Sequence, residues 1–245
     1  EAQGVQFKME HSWCGWDGDH LIFDVRGARK QVKVDTVMLA LGGASWPRLG
    51  SDGVWTELLQ KRGVAITLFQ PANCGFVINW SDHFSQRFSG QPLKSIILKA
   101  DNVQTRGEIM IDQKGIEGGA IYALSQKIRQ EINNNGTCRI EIDLKPDIFF
   151  EQVYERLQKP RSKLSFSNYI RKYLNLSPLA VSLLLENADP EMVRALSPFD
   201  LAGRIKAMPL IATAPFSIER AISSAGGVHF SAIDEDFMIK TLPGV

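Results

Sequence analysis

The chain has 245 residues, 44% of them hydrophobic, and a formal net charge of +1 at pH 7. This length and composition allow a sizeable hydrophobic core, arranged as one large domain or two smaller ones. The near-zero charge excludes a global electrostatic field that would steer the chain towards nucleic acid or a membrane surface.

Cysteine and histidine usage argues against a metal site and against a disulfide framework. The three cysteines are far apart and form no CxxC pair, and the four histidines lack the spacing of metal ligands. We therefore expect no metal and a reducing, cytoplasmic location. No apolar run is long enough to span a bilayer and the sequence has no signal-peptide pattern, so we expect no membrane contact.

The first part of the chain predicts an α/β arrangement. Residues 4–41 predict three or four strands, and the last of these becomes continuously apolar before Gly42. A continuously apolar strand is typical of a parallel sheet, because such a strand is buried on both faces. A loop rich in Gly, Ser and Pro follows, then a helix predicted over 54–62 and a strand over 64–69.

The pattern of apolar and polar residues changes at Pro71. Alternating apolar residues predict three strands, and a helix with one apolar face is predicted between the second and third of them, from GIEGG onwards. Residues 147–207 predict several short helices, because the helical pattern is interrupted by prolines, namely Pro160, Pro178, Pro190 and Pro198. After Pro209 the residue pattern again predicts strands.

We therefore predict a chain of the α/β plus α+β class. Its partial Rossmann-like domain, residues 1–70, is interrupted by an inserted domain of β-strands and short helices, residues 71–211. Residues 212–245 are predicted to return to the first domain.

The junction at residues 42–53, GGASWPRLGSDG, is the candidate ligand site. Glycines at a strand end let the backbone approach a ligand without an intervening Cβ, and the following helix offers free N–H groups that suit phosphate. The spacing matches neither GxGxxG nor the P-loop. A tight loop that needs glycine only for its turns remains the alternative interpretation.

Three stretches resemble the bacterial FAD-dependent flavoprotein family with an inserted domain, which includes NAD(P)/FAD-dependent oxidoreductases and aminoacetone oxidase-like proteins. The stretch around the junction is similar to the family's Ala-Thr-Gly-Gly followed by Ser-x-Pro-x-x-Gly-Ser-x-Gly. GEIMIDQKGIEGGAIYALS and SAGGVHFSAIDEDFMIKTLPGV are similar to two further family segments. The resemblance implies FAD-binding residues at Ala40, Leu41, Gly42, Gly43, Ser45, Pro47, Gly50, Ser51 and Gly53.

The same resemblance implies that this chain is a fragment. Family members carry an N-terminal GxGxxG loop for the FAD pyrophosphate and a C-terminal segment that closes over the cofactor, and neither pattern occurs here. We expect FAD in the full-length protein, little or none on this chain, and the missing terminal segments as its partners. Leu41 replaces the family's Thr, and Glu117-Gly118-Gly119 replaces its Ser-Gly-Pro.

Residues near GIEGG are weaker candidates for contact with a substrate. Small residues at a helix start can face a flavin or an anionic substrate, or can simply form a packing turn. Glu117 is a candidate acid or base there, although no partner carboxylate is evident. Trp46 lies in the glycine loop itself. These observations identify Trp46, Glu117, Gly118 and Gly119 as candidate substrate residues, with catalytic residues unassigned.

The implied function is that of a flavin-dependent oxidoreductase whose parent passes hydride from NAD(P)H through FAD to an unknown substrate. The alternative is a binding module for RNA. Residues 159–172 contain five basic residues, no acidic residue, and Phe166 and Tyr169 among them. Basic residues interleaved with aromatics can bind RNA, but more often they form a solvated helix face over core aromatics.

Overall fold

The computed structural model describes residues 3–186 and 188–245. The chain divides into two compact units, which we call the first and the second unit. The first unit comprises Glu1–Gln70 and Ser224–Val245, and the second comprises Pro71–Ser223. Within the described residues, no helix is both long enough and apolar enough to cross a membrane.

The strands of the described residues are, in chain order, β1 (Ser12–Asp17), β2 (His20–Val25), β3 (Ala28–Val32), β4 (Ile66–Pro71), β5 (Phe76–Ile78), β6 (Pro92–Ala100), β7 (Val103–Asp112), β8 (Gly115–Glu117), β9 (Cys138–Asp143), β10 (Met208–Pro215) and β11 (Ser224–Val228). The helices are α1 (Trp55–Gln60), α2 (Asp82–Phe88), α3 (Gly119–Asn135), α4 (Phe150–Leu157), α5 (Phe166–Leu174), α6 (Pro178–Leu185), α7 (Pro190–Ala195) and α8 (Pro198–Lys206).

The first unit contains two small sheets. Strands β1, β2 and β3 form an antiparallel meander, and β4 pairs with β11. Two tight turns join the meander strands, and Gly18, Arg26 and Gly27 adopt the positive φ values that such turns require. The buried core of this unit is small, with Leu59, Val64 and Ile239 at its centre.

The prediction of a buried parallel strand before Gly42 is wrong. Strand β3 ends at Val32, and residues 33–43 form no strand. Met38 is 92% exposed, and Val37 N–H donates to the carbonyl of Gly244 at 2.8 Å. A continuously apolar segment becomes a parallel strand only where neighbouring strands pair with it on both sides. No such pairing exists among the described residues, so the partial Rossmann-like fold is not observed. Residues 4–10, also predicted to be extended, form no strand either.

The second unit is a closed, six-stranded antiparallel barrel with helices. The strand order is β10-β5-β8-β7-β6-β9, and β9 pairs with β10 to close the ring. The strands predicted after Pro71 are confirmed as β6, β7 and β9, whose alternating burial follows the alternating apolar residues. The predicted amphipathic helix is confirmed as α3, which packs Ile121, Leu124 and Ile128 against the barrel strands.

Helices α4 to α8 lie between β9 and β10 in the sequence. Three of them begin with proline at the first helical position, namely Pro178, Pro190 and Pro198. Proline suits that position because its missing N–H would have no intrahelical acceptor there. The preceding Ser177, Asp189 and Ser197 accept hydrogen bonds from backbone N–H groups of the first turn. The predicted series of short helices is thereby confirmed.

The predicted domain boundary at residue 212 is displaced. Strand β10 runs through that position and pairs with both β9 and β5, so residues 212–215 belong to the barrel. The second unit extends to Ser223. The sequence pattern after Pro209 is that of a strand in either location, and only its pairing with β5 and β9 assigns it to the barrel.

Candidate functional site

The glycine loop, residues 42–53, lies in the first unit with much of its surface exposed. Pro47–Leu49 forms one turn of 3-10 helix, bounded by Trp46 and Gly50, both of which have left-handed backbone angles. Trp46 is 48% exposed and Ser45 is buried. Among the other predicted FAD-binding residues, Ala40, Gly42, Pro47 and Gly50 are exposed, whereas Leu41, Gly43 and Ser51 are half-buried.

Gly43 is required by a close approach inside the first unit. A Cβ at Gly43 would lie 2.0 Å from the Ser224 hydroxyl oxygen, which accepts a hydrogen bond from Ala44 N–H at 3.0 Å. Its φ is not positive, so the reason for glycine is space rather than backbone conformation. Residue 224 begins β11, and the loop is therefore attached to a strand about 180 residues away in the sequence.

At Gly53, both the limited space and the backbone conformation require glycine. It is buried with φ of +71°, and a Cβ would lie 2.9 Å from the ring of Phe69 and 3.0 Å from Ala44 Cβ. Its carbonyl accepts hydrogen bonds from the N–H and hydroxyl of Thr56, the second residue of α1. Trp55 Nε1 donates to the Gly42 carbonyl at 3.1 Å. The loop is therefore packed on its own helix and strands.

The residues of the loop do not form a phosphate cradle. Helix α1 has only six residues and begins at Trp55, later than the predicted residue 54. The N-cap of α1 is Val54, which makes no side-chain capping bond, and the Asp52 carboxylate accepts a hydrogen bond from Val54 N–H at 3.1 Å. That carboxylate would repel a phosphate at the same place. The open side of the loop is near Gly50, where a Cβ would meet nothing within 4 Å.

The second set of candidate residues, Glu117-Gly118-Gly119, lies in the second unit at the start of α3. Gly118 is the N-cap of the helix, with φ of +105°, and α3 begins at Gly119. Nearby, the Arg220 guanidinium lies 3.0 Å from Asp112 Oδ2 and 3.5 Å from Glu117 Oε2. Arg220 also lies over the ring of Phe216, 4.5 Å from its centroid.

This arrangement changes the interpretation of Glu117. Its carboxylate shares one cation with Asp112 and is therefore not the isolated acid or base that the sequence suggested. Tyr122, in the first turn of α3, has a raised pKa because burial and the charge of Glu117 disfavour the phenolate. Sequence reasoning missed Arg220, because it lies 103 positions from Glu117 and no local pattern connects the two.

The basic segment 159–172 has exposed basic side chains and buried aromatic rings. Phe166 and Tyr169 are buried, so they form part of the core and do not provide a stacking platform. The basic side chains are exposed and, among the described residues, form no ion pair. Lys159 and Lys172 both lie over the Tyr173 ring, at 5.6 and 5.4 Å from its centroid.

Among the described residues, the geometry supports neither a reactive thiol at Cys74 or Cys138 nor a metal site. Burial raises the pKa of Cys74, and it raises that of Cys138 to about 11, so both thiols stay protonated at neutral pH. Ser125 Oγ accepts the Cys74 N–H at 3.2 Å, which anchors the chain just after Pro71 to α3. Over the residues that the structure describes, no group of three His, Cys, Asp or Glu side chains could hold a metal ion.

The second unit matches a known protein-family model. The protein-family model described as HI0933-like protein barrel and H2TH domain matches residues 70–223, which is more than half of the chain. Those residues correspond to the second unit, with its closed barrel and its run of helices. No curated protein matches the chain.

Proposed function

The chain belongs to the HI0933-like protein barrel and H2TH domain family, and from this premise we propose that it is part of an FAD-dependent oxidoreductase. The family is related to FAD-dependent oxidoreductases and is associated with FAD-binding proteins. Family membership over residues 70–223 is the observation that carries the proposal. The resemblance of residues 37–60 and 224–245 to flavoprotein segments supports it from the other unit.

The proposed parent reaction is hydride transfer from NAD(P)H to a substrate of unknown identity. Bound FAD would supply the redox chemistry. In the first unit, the glycine loop would provide a contact surface along residues 42–53. Its bonds from Ala44 to Ser224 and from Trp55 to Gly42 hold that surface in one conformation, which limits the entropy lost on binding.

In the second unit, the start of α3 is the proposed region of substrate selection. Asp112 and Glu117 hold the Arg220 side chain, and Phe216 packs beneath the guanidinium. A cation held in this way can orient an anionic or carbonyl-bearing group, since a guanidinium offers several donors in a fixed plane. Glu117 and Asp112 are then positioning residues for Arg220.

The glycine loop is tested by Gly43→Val in the longer protein that carries the FAD pyrophosphate loop. We expect flavin content per folded molecule to fall several-fold, because the branched side chain displaces Ser224 and alters the contact surface. Flavin is measured by its visible absorption and folding by the thermal midpoint. We expect the 245-residue chain alone to retain little flavin.

Ser224→Ala is the matched control for Gly43→Val. It removes the hydroxyl that Ala44 N–H donates to, but adds no bulk at the loop. Flavin lost in Gly43→Val and kept in Ser224→Ala supports a cofactor contact. Normal flavin content per folded molecule in both variants would mean that the loop has only a structural role. A longer protein that is colourless and takes up no added FAD would refute the flavoprotein proposal itself.

The exposed cations of residues 159–172 favour RNA binding as a second candidate function. Because these side chains form no ion pair with a carboxylate among the described residues, they remain available to phosphates. We expect Lys159→Gln combined with Lys172→Gln to weaken binding of a single-stranded RNA. The slope of log affinity against log salt concentration should also fall by the amount expected for the loss of about two phosphate contacts. Lys99→Gln serves as the control. RNA binding that is undetectable at low salt, or unaffected by the double substitution, would rule this candidate out.

A further inference from the structure

A cleft of about 370 Å³ lies within the second unit, between the barrel and the helices. Its floor is apolar, since Leu93, Leu144, Leu176 and Ala180 line it and are each at most 5% exposed. The volume is within the range of small-molecule sites in proteins. None of the cleft residues belongs to the proposed flavin or substrate regions.

The rim of the cleft is polar, and its charged groups are mostly cationic. Lys94 and Ser95 come from β6, Lys145 from the segment after β9, and Asn175 from the turn between α5 and α6. Strand β6 is irregular between Leu93 and Ile96, with Ser95 at φ of +55°. This bulge leaves both Lys94 and Ser95 exposed at the rim.

The acidic groups near the rim are already engaged. Asp147, which lines the cleft, accepts a hydrogen bond from Arg106 at 2.5 Å. Asp143, next to the cleft, pairs with Lys206 at 2.7 Å and also accepts the backbone N–H of Lys145. Within the described part of the chain, Lys94 and Lys145 make no ion pair. The cleft therefore presents two ammonium groups that lack a counter-charge.

The backbone that carries Lys145 is held firmly. The Lys206 ammonium group donates to the carbonyl oxygens of Lys145 and Ile148 at 2.8 and 2.7 Å, in addition to its ion pair with Asp143. This network fixes the segment after β9 against the end of α8. A ligand at the rim would consequently meet a preformed edge, with little ordering of the backbone required on binding.

We propose that this cleft binds a small phosphate monoester. The phosphate group would lie between Lys94 and Lys145, and its organic part would cover the leucine floor. A monoester carries about −1.5 to −2 charge at pH 7, which matches two ammonium groups better than a carboxylate does. Lysine is a common ligand of phosphate, and the Ser95 hydroxyl and Asn175 amide add donors. The floor contributes no aromatic ring, which favours an aliphatic organic part over a nucleobase.

Calorimetric titration of the 245-residue chain tests the proposal, with inorganic phosphate and n-butyl phosphate as probes. We expect both to bind, and n-butyl phosphate to bind more tightly by about four-fold for each methylene that the floor buries. Lys94→Gln and Lys145→Gln should each weaken phosphate binding at least about ten-fold, since each removes a charge-assisted contact. The binding should also strengthen between pH 5 and 7 as the phosphate group loses its second proton.

Lys99→Gln is the matched control, because Lys99 is an exposed lysine on the same strand that does not line the cleft. It should leave phosphate affinity unchanged. Backbone amide chemical shifts of Leu176 and Ala180 should move on titration of the unaltered chain. Absence of binding at millimolar phosphate would overturn the proposal. So would affinities that are equal in Lys94→Gln, Lys145→Gln and the control. Equal affinity for the two probes would overturn the part of the proposal that concerns the apolar floor.

Discussion

Gly115→Ala is expected to lower the stability of the second unit by about 3 kcal/mol or more, the upper end of the cost of overpacking. Gly115 begins β8 and pairs with Val77 of β5. A Cβ at this position would lie 1.9 Å from the carbonyl oxygen of Phe76 and 2.9 Å from the backbone nitrogen of Ile78. Both are backbone atoms of β5, so only a separation of the two strands can relieve the overlap. Because the barrel is closed, that separation disturbs the whole ring.

Gly203→Ala is the matched control in the same unit. Gly203 lies inside α8, its φ is not positive, and a Cβ would meet nothing within 4 Å. We expect it to stabilise the unit by about 0.5 to 1 kcal/mol, since glycine is unfavourable in a helix interior. Urea unfolding followed by far-ultraviolet circular dichroism measures both variants. A Gly115→Ala protein with normal stability would contradict the register of β5 and β8.

Gly53→Ala is expected to destabilise the first unit by about 3 kcal/mol, from two additive causes. The left-handed backbone, with φ of +71°, costs a residue with a Cβ about 1 to 2 kcal/mol. The contacts at 2.9 Å with the Phe69 ring and 3.0 Å with Ala44 add a packing cost of about 1 to 3 kcal/mol. Phe69 is in edge-to-face contact with Trp55, so tryptophan fluorescence should follow the transition.

Gly50→Ala separates these two causes. Gly50 has a similarly positive φ of +89°, but a Cβ there would meet nothing within 4 Å. Its cost should therefore be only the conformational part, about 1 to 2 kcal/mol. Equal losses in Gly50→Ala and Gly53→Ala would mean that the packing of Gly53 against Phe69 and Ala44 contributes nothing. If Gly50→Ala instead lowers the flavin content of the proposed longer protein while that protein folds normally, the open side of the loop contacts the cofactor.

Much of the second unit is predictable from local pattern. Strands β6, β7 and β9 alternate apolar and polar residues because one face of each packs inside the barrel. Helix α3 shows its buried stripe at helical spacing, and the prolines at the starts of α6, α7 and α8 mark those helix starts. These signals are reliable because each depends on residues only a few positions apart.

The candidate site is less predictable, since its contacts join distant residues. The sequence identified the glycines of the junction, but only the structure shows that Ser224 and Phe69 occupy the space beside Gly43 and Gly53. It identified Glu117, but the cation that holds this carboxylate is Arg220. It also left the role of Phe166 open, and burial assigns that ring to the core.

What the sequence by itself determined is the identity of most local elements and the resemblance to a flavoprotein family. What only the tertiary structure decided is which of these elements pair. The apolar segment before Gly42 has the pattern of a buried strand, yet it forms none, because a strand exists only through hydrogen bonds to a neighbour. Residues 212–215 join the barrel for the complementary reason, since β5 and β9 supply those bonds. The periodicity of apolar residues depends only on a few adjacent positions. The stability of strand pairing depends on a second segment far away in the chain, which the local pattern does not identify.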